Sequence, residues 1–229
     1  MTEIMFPFKR ECWYTLEQLT TFKKKLLLER RQDTQLDHDL RLSQQPWMKL
    51  LNAELYPLYY FAKQIHLSKE TLFRICAEGA DADLELKEGS ALRRLQVTQA
   101  GAVWPLKNRN WGYEHKLSMT KLNSEGESSG FGPFIQNPDG SISDQEMVET
   151  EERNRVCLDS LVKTLEGKQN YRIPDCELIV HAVAYRELMD QKTFINLASE
   201  ALRKISLSNF RIIYILDSGD GYFYKLKID

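Results

Sequence analysis

The chain has no long apolar run. Stretches such as Ile212-Ile213-Tyr214-Ile215-Leu216 are strand-sized, well short of the roughly 20 residues that cross a bilayer, so no membrane contact is expected. Excess charge is also lacking. Thirty-one Lys and Arg stand against 33 Asp and Glu, a net charge of −2, so a polyanion would have to be met by a local patch. Cysteine is scarce and scattered (Cys12, Cys76, Cys157, Cys176) without a C-x-x-C pair. That pattern argues against a disulfide framework or a zinc site and fits reduced thiols in a cytoplasmic protein. The first ten residues, Met1 to Arg10, hold no apolar segment followed by a small-residue cleavage site, so no signal peptide is expected. The four histidines show no metal-ligand spacing, and no G-x-S-x-G occurs. Neither Gly130-Phe131-Gly132 nor the 217–221 segment lies between a strand and a helix as a phosphate cradle requires.

What is present is ordinary globular composition, with 42% hydrophobic and 28% charged residues in 229. This suffices for one core and argues against wholesale disorder. The expected organisation is a single domain, 1–229, with an N-terminal helical extension over 1–44 and a core over 45–229. Helical spacing of Leu16, Leu19, Phe22, Leu26 and Leu27 predicts a helix over 15–36 capped by Thr15. A second helix is predicted over 46–66, opened by Pro46 and kinked at Pro57. Its apolar stripe (Trp47, Leu50, Leu51, Leu58, Ile65) includes Glu54, a carboxylate that is costly there unless it meets a partner or a cation.

Three extended segments follow at 72–77, 82–87 and 92–98, the last two joined by a four-residue connection, 88–91, containing Gly89. A long turn-rich stretch covers 100–145, then a helix over 146–166 stopped by Gly167, a strand over 177–183, a helix over 190–205, and strands over 210–216 and 222–228. The order α-α-β-β-β-α-β-α-β-β predicts an α/β fold with a central mixed sheet flanked by helices.

The hairpin register places Asp83 opposite Gln96, Glu85 opposite Arg94 and Asp81 opposite Thr98. One face is then apolar, while the other collects three carboxylates that repel one another unless a cation or arginine sits among them. Divalent hard cations suit such oxygen clusters; a solvated strand face with Glu85–Arg94 as a cross-strand pair is the plainer alternative.

With that register, the chain resembles the PD-(D/E)XK nuclease superfamily, whose restriction-endonuclease-like core runs α-β-β-β-α-β. Asp83 falls where the family's aspartate opens the second strand, and Gln96-Val97-Thr98 falls where (D/E)-x-K lies on the third. Glu54 fits the glutamate that the preceding helix contributes. The resemblance implies one or two Mg²⁺ or Mn²⁺ ions held by Asp83, Gln96 and Glu54, with hydrolysis of a phosphodiester in DNA, in preference to RNA. It further implies a setting in phage defence, mobile elements or repair. Thr98 departs from the family's lysine, which is thought to orient the attacking water and to offset charge on the phosphate. A lysine from elsewhere (Lys107, Lys116 or Lys168) would have to replace it, and Arg153 and Lys168 are further candidates after the sheet. A rival register takes Glu85-Leu86-Lys87 as the tripeptide.

Residues 93–121 carry six cations (Arg93, Arg94, Lys107, Arg109, Lys116, Lys121) against the single acid Glu114, interleaved with Trp104, Trp111 and Tyr113. Of these, Arg93, Arg94, Lys107, Arg109, Trp111 and Lys116 are the candidate nucleic-acid contacts. Residues 124–152 hold eight acids and no Lys or Arg, so that half of the loop would shield the site or face a protein partner. The alternative function is a catalytically inactive protein of the same fold that binds nucleic acid or a protein through the 100–145 loop.

Overall fold

Strand β4 (Ala91–Gly101) forms the spine of a seven-stranded sheet in the computed structural model. The structure describes residues 5–42, 45–101, 135–136, 142–143, 150–171, 175–183 and 185–228. Sheet order is β1-β2-β3-β4-β7-β8-β9, with β1 Trp13–Thr15, β2 Leu72–Ile75, β3 Leu84–Glu88, β7 Cys176–Val183, β8 Ile212–Leu216 and β9 Phe223–Lys227. Strands β1 to β4 are mutually antiparallel, β4, β7 and β8 run parallel, and β9 returns antiparallel. The short pair β5 (Ile135–Gln136) and β6 (Ile142–Ser143) forms a separate ribbon. The fold is therefore mixed α/β, as the element order predicts.

Helices cover both faces. On one face, α1 (Leu16–Gln32) and α3 (the helix over 46–64) pack Leu19, Leu26, Leu55, Leu58 and Phe61 against Phe73, Leu84, Leu95 and Ile179. On the other, α4 (Thr150–Glu166) and, after the short α5 (Tyr185–Leu188), α6 (Gln191–Lys204) pack Leu161, Leu165, Phe194 and Ala198 against Leu178, Val180, Ile213 and Ile215. Strand β7 serves both cores and is buried along nearly its whole length, as a central parallel strand should be.

Three expectations are refined. The helix predicted over 15–36 breaks at Asp33, whose carboxylate accepts from the Leu36 N–H at 3.0 Å and starts α2 (Thr34–Leu42). Thr15 and Gln18 do form a reciprocal capping box at the start of α1. The 46–66 helix does not simply kink at Pro57. It runs Pro46–Leu50, widens to a π-turn over Leu51–Leu55, and resumes over Tyr56–Gln64, together α3. Pro57 has no N–H for the usual i−4 carbonyl, and the Tyr56 N–H bonds to Leu51 instead. The hairpin closes through the two residues Gly89-Ser90, with Gly89 at φ +59°, and pairs Glu88 with Ala91. Tightening both arms by one residue leaves the register unchanged, so Leu84 faces Leu95 and Glu85 faces Arg94.

Candidate active site

Beyond Leu95, β4 outruns β3. Residues Gln96 to Gly101 pair with β7 on one side, and among the described residues no strand pairs with the other. The vacated edge is where side chains from both helical faces meet.

Asp83 ends the β3 pairing. Its N–H donates to the Leu95 carbonyl at 3.0 Å, and its Oδ2 accepts the Val97 N–H at 2.7 Å. The side chain thus takes the place of the next strand residue. Burial pushes its carboxyl above the usual range, while the Val97 N–H, Lys168 and Arg10 pull it back.

Gln96 is 1% exposed. Its Nε2 donates to the Asp81 carbonyl at 2.9 Å, which turns Oε1 toward the ammonium of Lys168 at 3.3 Å. Lys168 lies just past α4, its own carbonyl held by Asn209 Nδ2 at 3.0 Å and its Nζ 4.6 Å from the Tyr171 ring centroid. Of the three lysines that could stand in for Thr98, Lys168 is the one within the described residues. Thr98 itself is half-buried on β4, in register with Val180.

Glu54 arrives from the π-turn. The same turn presents the Asn52 carbonyl to Gln99 Nε2 at 2.5 Å and so ties the helix to the overhang of β4. Glu54 Oε1 lies 3.6 Å from Arg10 Nη2, and its Oε2 is buried without a hydrogen-bond partner among the described residues. Burial raises this carboxyl to about 7; Arg10 opposes the rise and the Asp83 charge adds to it. Arg10 donates through Nη1 to the Cys76 carbonyl at 2.6 Å and lies 3.9 Å from Glu78. It precedes every predicted element, so nothing in the sequence pattern singled it out.

Other predicted residues lie elsewhere. Glu85 is held by Arg74 at 2.5 Å with Arg94 at 4.0 Å, so the third acid of the hairpin face is committed to an ion pair. Lys87 is exposed and Leu86 buried, and no cluster forms around the rival Glu85-Leu86-Lys87 tripeptide among the described residues. Arg93 points to the opposite face of β4, where Glu177 takes its guanidinium at 2.6 Å and the Tyr214 hydroxyl lies at 3.2 Å. That buried pair withdraws Arg93 from the surface, whereas Arg94 remains exposed. Arg153 donates to the Thr150 hydroxyl at 2.8 Å. Lys107, Arg109, Trp111 and Lys116 lie outside the described residues.

No three His, Cys, Asp or Glu side chains converge as a metal site among the described residues. What links the candidate oxygens is charge and one contact: the Asp83 charge acts on Glu54, and the Lys168 charge acts on Asp83 while its ammonium reaches Gln96 Oε1. Such a set fits a hard cation that completes its shell with water and substrate, and the orphaned Glu54 Oε2 is the atom best placed to gain from one. No protein-family model matches the chain, and neither a curated protein nor a solved structure matches it significantly.

Proposed function

We propose that the chain hydrolyses phosphodiester bonds in nucleic acid, DNA in preference to RNA, through a divergent PD-(D/E)XK-type site supported by Mg²⁺ or Mn²⁺. The observation that carries this reading is the Lys168 ammonium 3.3 Å from Gln96 Oε1, with its charge acting on Asp83. In this reading the lysine from after α4 serves where the 96–98 tripeptide supplies only Thr98. The order α3-β2-β3-β4-α4-β7 supports it further, since it follows the α-β-β-β-α-β order of that superfamily.

In this reading Asp83, Glu54 and the Gln96 amide would hold the ion, which would supply a Lewis acid for the scissile phosphate. Gln96 fixes the Lys168 side chain, and the ammonium orients the attacking water and offsets charge developing on the phosphoryl oxygens. Thr98, two residues along β4, borders the nucleophile. Arg94 and the basic segment 107–116 contact the substrate backbone.

A second reading is a nuclease-fold protein without activity, favoured by Arg10, whose guanidinium stands beside Glu54 where a metal would compete with it. The two part in a cleavage assay on single- and double-stranded DNA and RNA with Mg²⁺, Mn²⁺ or EDTA. The nuclease reading expects metal-dependent cleavage that Asp83→Ala abolishes. No cleavage of any substrate, or cleavage indifferent to Asp83→Ala, overturns it.

A further inference from the structure

A second group of ionisable side chains lies on the α1–α3 face of the sheet, at the C-terminal ends of the parallel strands β7 and β8. It shares no residue with the site around Asp83. Its centre is His181 on β7, only 7% exposed, with neither ring nitrogen hydrogen-bonded among the described residues. An imidazole always offers a donor, and when neutral an acceptor as well. Burying both unmet is expensive, and such groups in native proteins are usually satisfied by something bound.

The surroundings indicate what that something is. Lys23, from α1, places its ammonium 3.5 Å from the Tyr59 ring centroid, 4.0 Å from Tyr60 and 5.4 Å from Tyr56. Three aromatic faces stabilise the cation but accept no conventional hydrogen bond, and no ion pair among the described residues includes Lys23. The Tyr60 ring lies 5.7 Å from His181, tilted by 30°, and bridges the amine and the imidazole. Burial, together with the charges of Lys63 and Arg186, lowers Lys23 to about 7. The nearby acids are already engaged. Asp217 accepts the Arg186 N–H at 2.7 Å and the Ser218 N–H, and Asp220 pairs with Lys63 at 2.7 Å. The Lys23 cation and the unmet imidazole therefore lie together; burial lowers His181 to about 4 against the pull of Asp217, so the ring is neutral and offers one donor.

We propose that Lys23, His181 and Tyr60 form a binding subsite for a phosphoryl group. A tetrahedral oxyanion offers enough acceptor oxygens for the ammonium and the imidazole N–H together; Tyr60, whose hydroxyl is already hydrogen-bonded to Ser218, contributes the ring that both lie against. The oxyanion's charge offsets the repulsion that Lys63 and Arg186 exert on Lys23. The site does not depend on catalysis at Asp83.

The test is calorimetric titration of the full chain, in EDTA, with inorganic phosphate and with a short single-stranded oligonucleotide with or without a 5′-phosphate. Phosphate binding should be equal in wild type and Asp83→Ala, fall at least tenfold in Lys23→Gln and His181→Gln, and recover in Lys23→Arg. Melting curves ensure that each variant compared is folded. Tighter binding of the phosphorylated oligonucleotide than of inorganic phosphate assigns the group to a nucleic-acid terminus, and the reverse order assigns it to free phosphate. Absence of binding by wild type overturns the subsite. So does binding that survives Lys23→Gln, or binding lost in Asp83→Ala but retained in Lys23→Gln.

Discussion

Glu54 shows what a single buried carboxyl does to a fold. A carboxyl raised to about 7 holds its proton more tightly in the folded chain than in the unfolded one. Its contribution to stability is therefore complete below about 4.5, the ordinary value, and is lost as pH rises through about 7. Denaturant unfolding between pH 5 and pH 8 should show wild type losing on the order of 2–3 kcal/mol from this group, and Glu54→Gln should remove that slope. An unchanged slope in the variant would show that Glu54 is ionised in the folded chain at neutral pH. Arg10 tempers the penalty without cancelling it, because its guanidinium is shared among Glu54, Glu78 and the Cys76 carbonyl. Divalent cations added at pH 8 should restore stability through the same carboxylate, since a ligand that binds only the folded chain stabilises it.

Strand β7 sets the same problem for a whole element. Its run of buried residues includes Glu177, 1% exposed and bonded to Arg93 and Arg211, each at 2.6 Å. Removing one partner of a buried pair strands the other charge, at a cost of about 3–5 kcal/mol. Urea midpoints should accordingly fall most for Glu177→Ala, less for Arg93→Ala, and least for Arg211→Ala, whose side chain is half exposed. An inverted order would mean that the pair is not what anchors β7 to β4. The sequence displayed β7 as an apolar strand but gave no sign that Arg93 belonged to it, because the pair spans 84 residues and strand alternation alone does not say which face is buried. By contrast, the hairpin register was legible from Leu84–Leu95 to the turn, because alternation and a short glycine connection act locally, whereas the expected pairs Asp83–Gln96 and Asp81–Thr98 do not form, since β3 starts only at Leu84. The π-turn was legible only as a disturbance at Pro57, since the choice between a kink and a widened turn depends on what the freed carbonyl meets, here Gln99. Glu54 stood out as an acid on an apolar stripe, whereas Arg10 did not, for it sits in an irregular segment placed by contacts far along the chain.

Over the whole molecule, the open edge of β4 gathers residues from elements that are distant in sequence: Glu54 from one helical layer, Asp83 and Gln96 from the hairpin, and Lys168 from beyond α4. Each is placed by an independent piece of packing, so the arrangement depends on the sheet and both helical layers being in place. No helix among the described residues is long and apolar enough to cross a membrane. In the proposed nuclease, Lys168 performs the task that Thr98 cannot. The most direct test of this claim is the rate of Mg²⁺-dependent DNA cleavage by Lys168→Ala, Lys168→Arg and the double variant Lys168→Ala/Thr98→Lys, each checked for folding. Loss of a preorganised electrostatic group costs about 10²- to 10³-fold, so Lys168→Ala should fall by that amount. Lys168→Arg should lose less, and Thr98→Lys should return part of the rate by restoring the lysine to the strand. Cleavage by Lys168→Ala at the wild-type rate would contradict the claim.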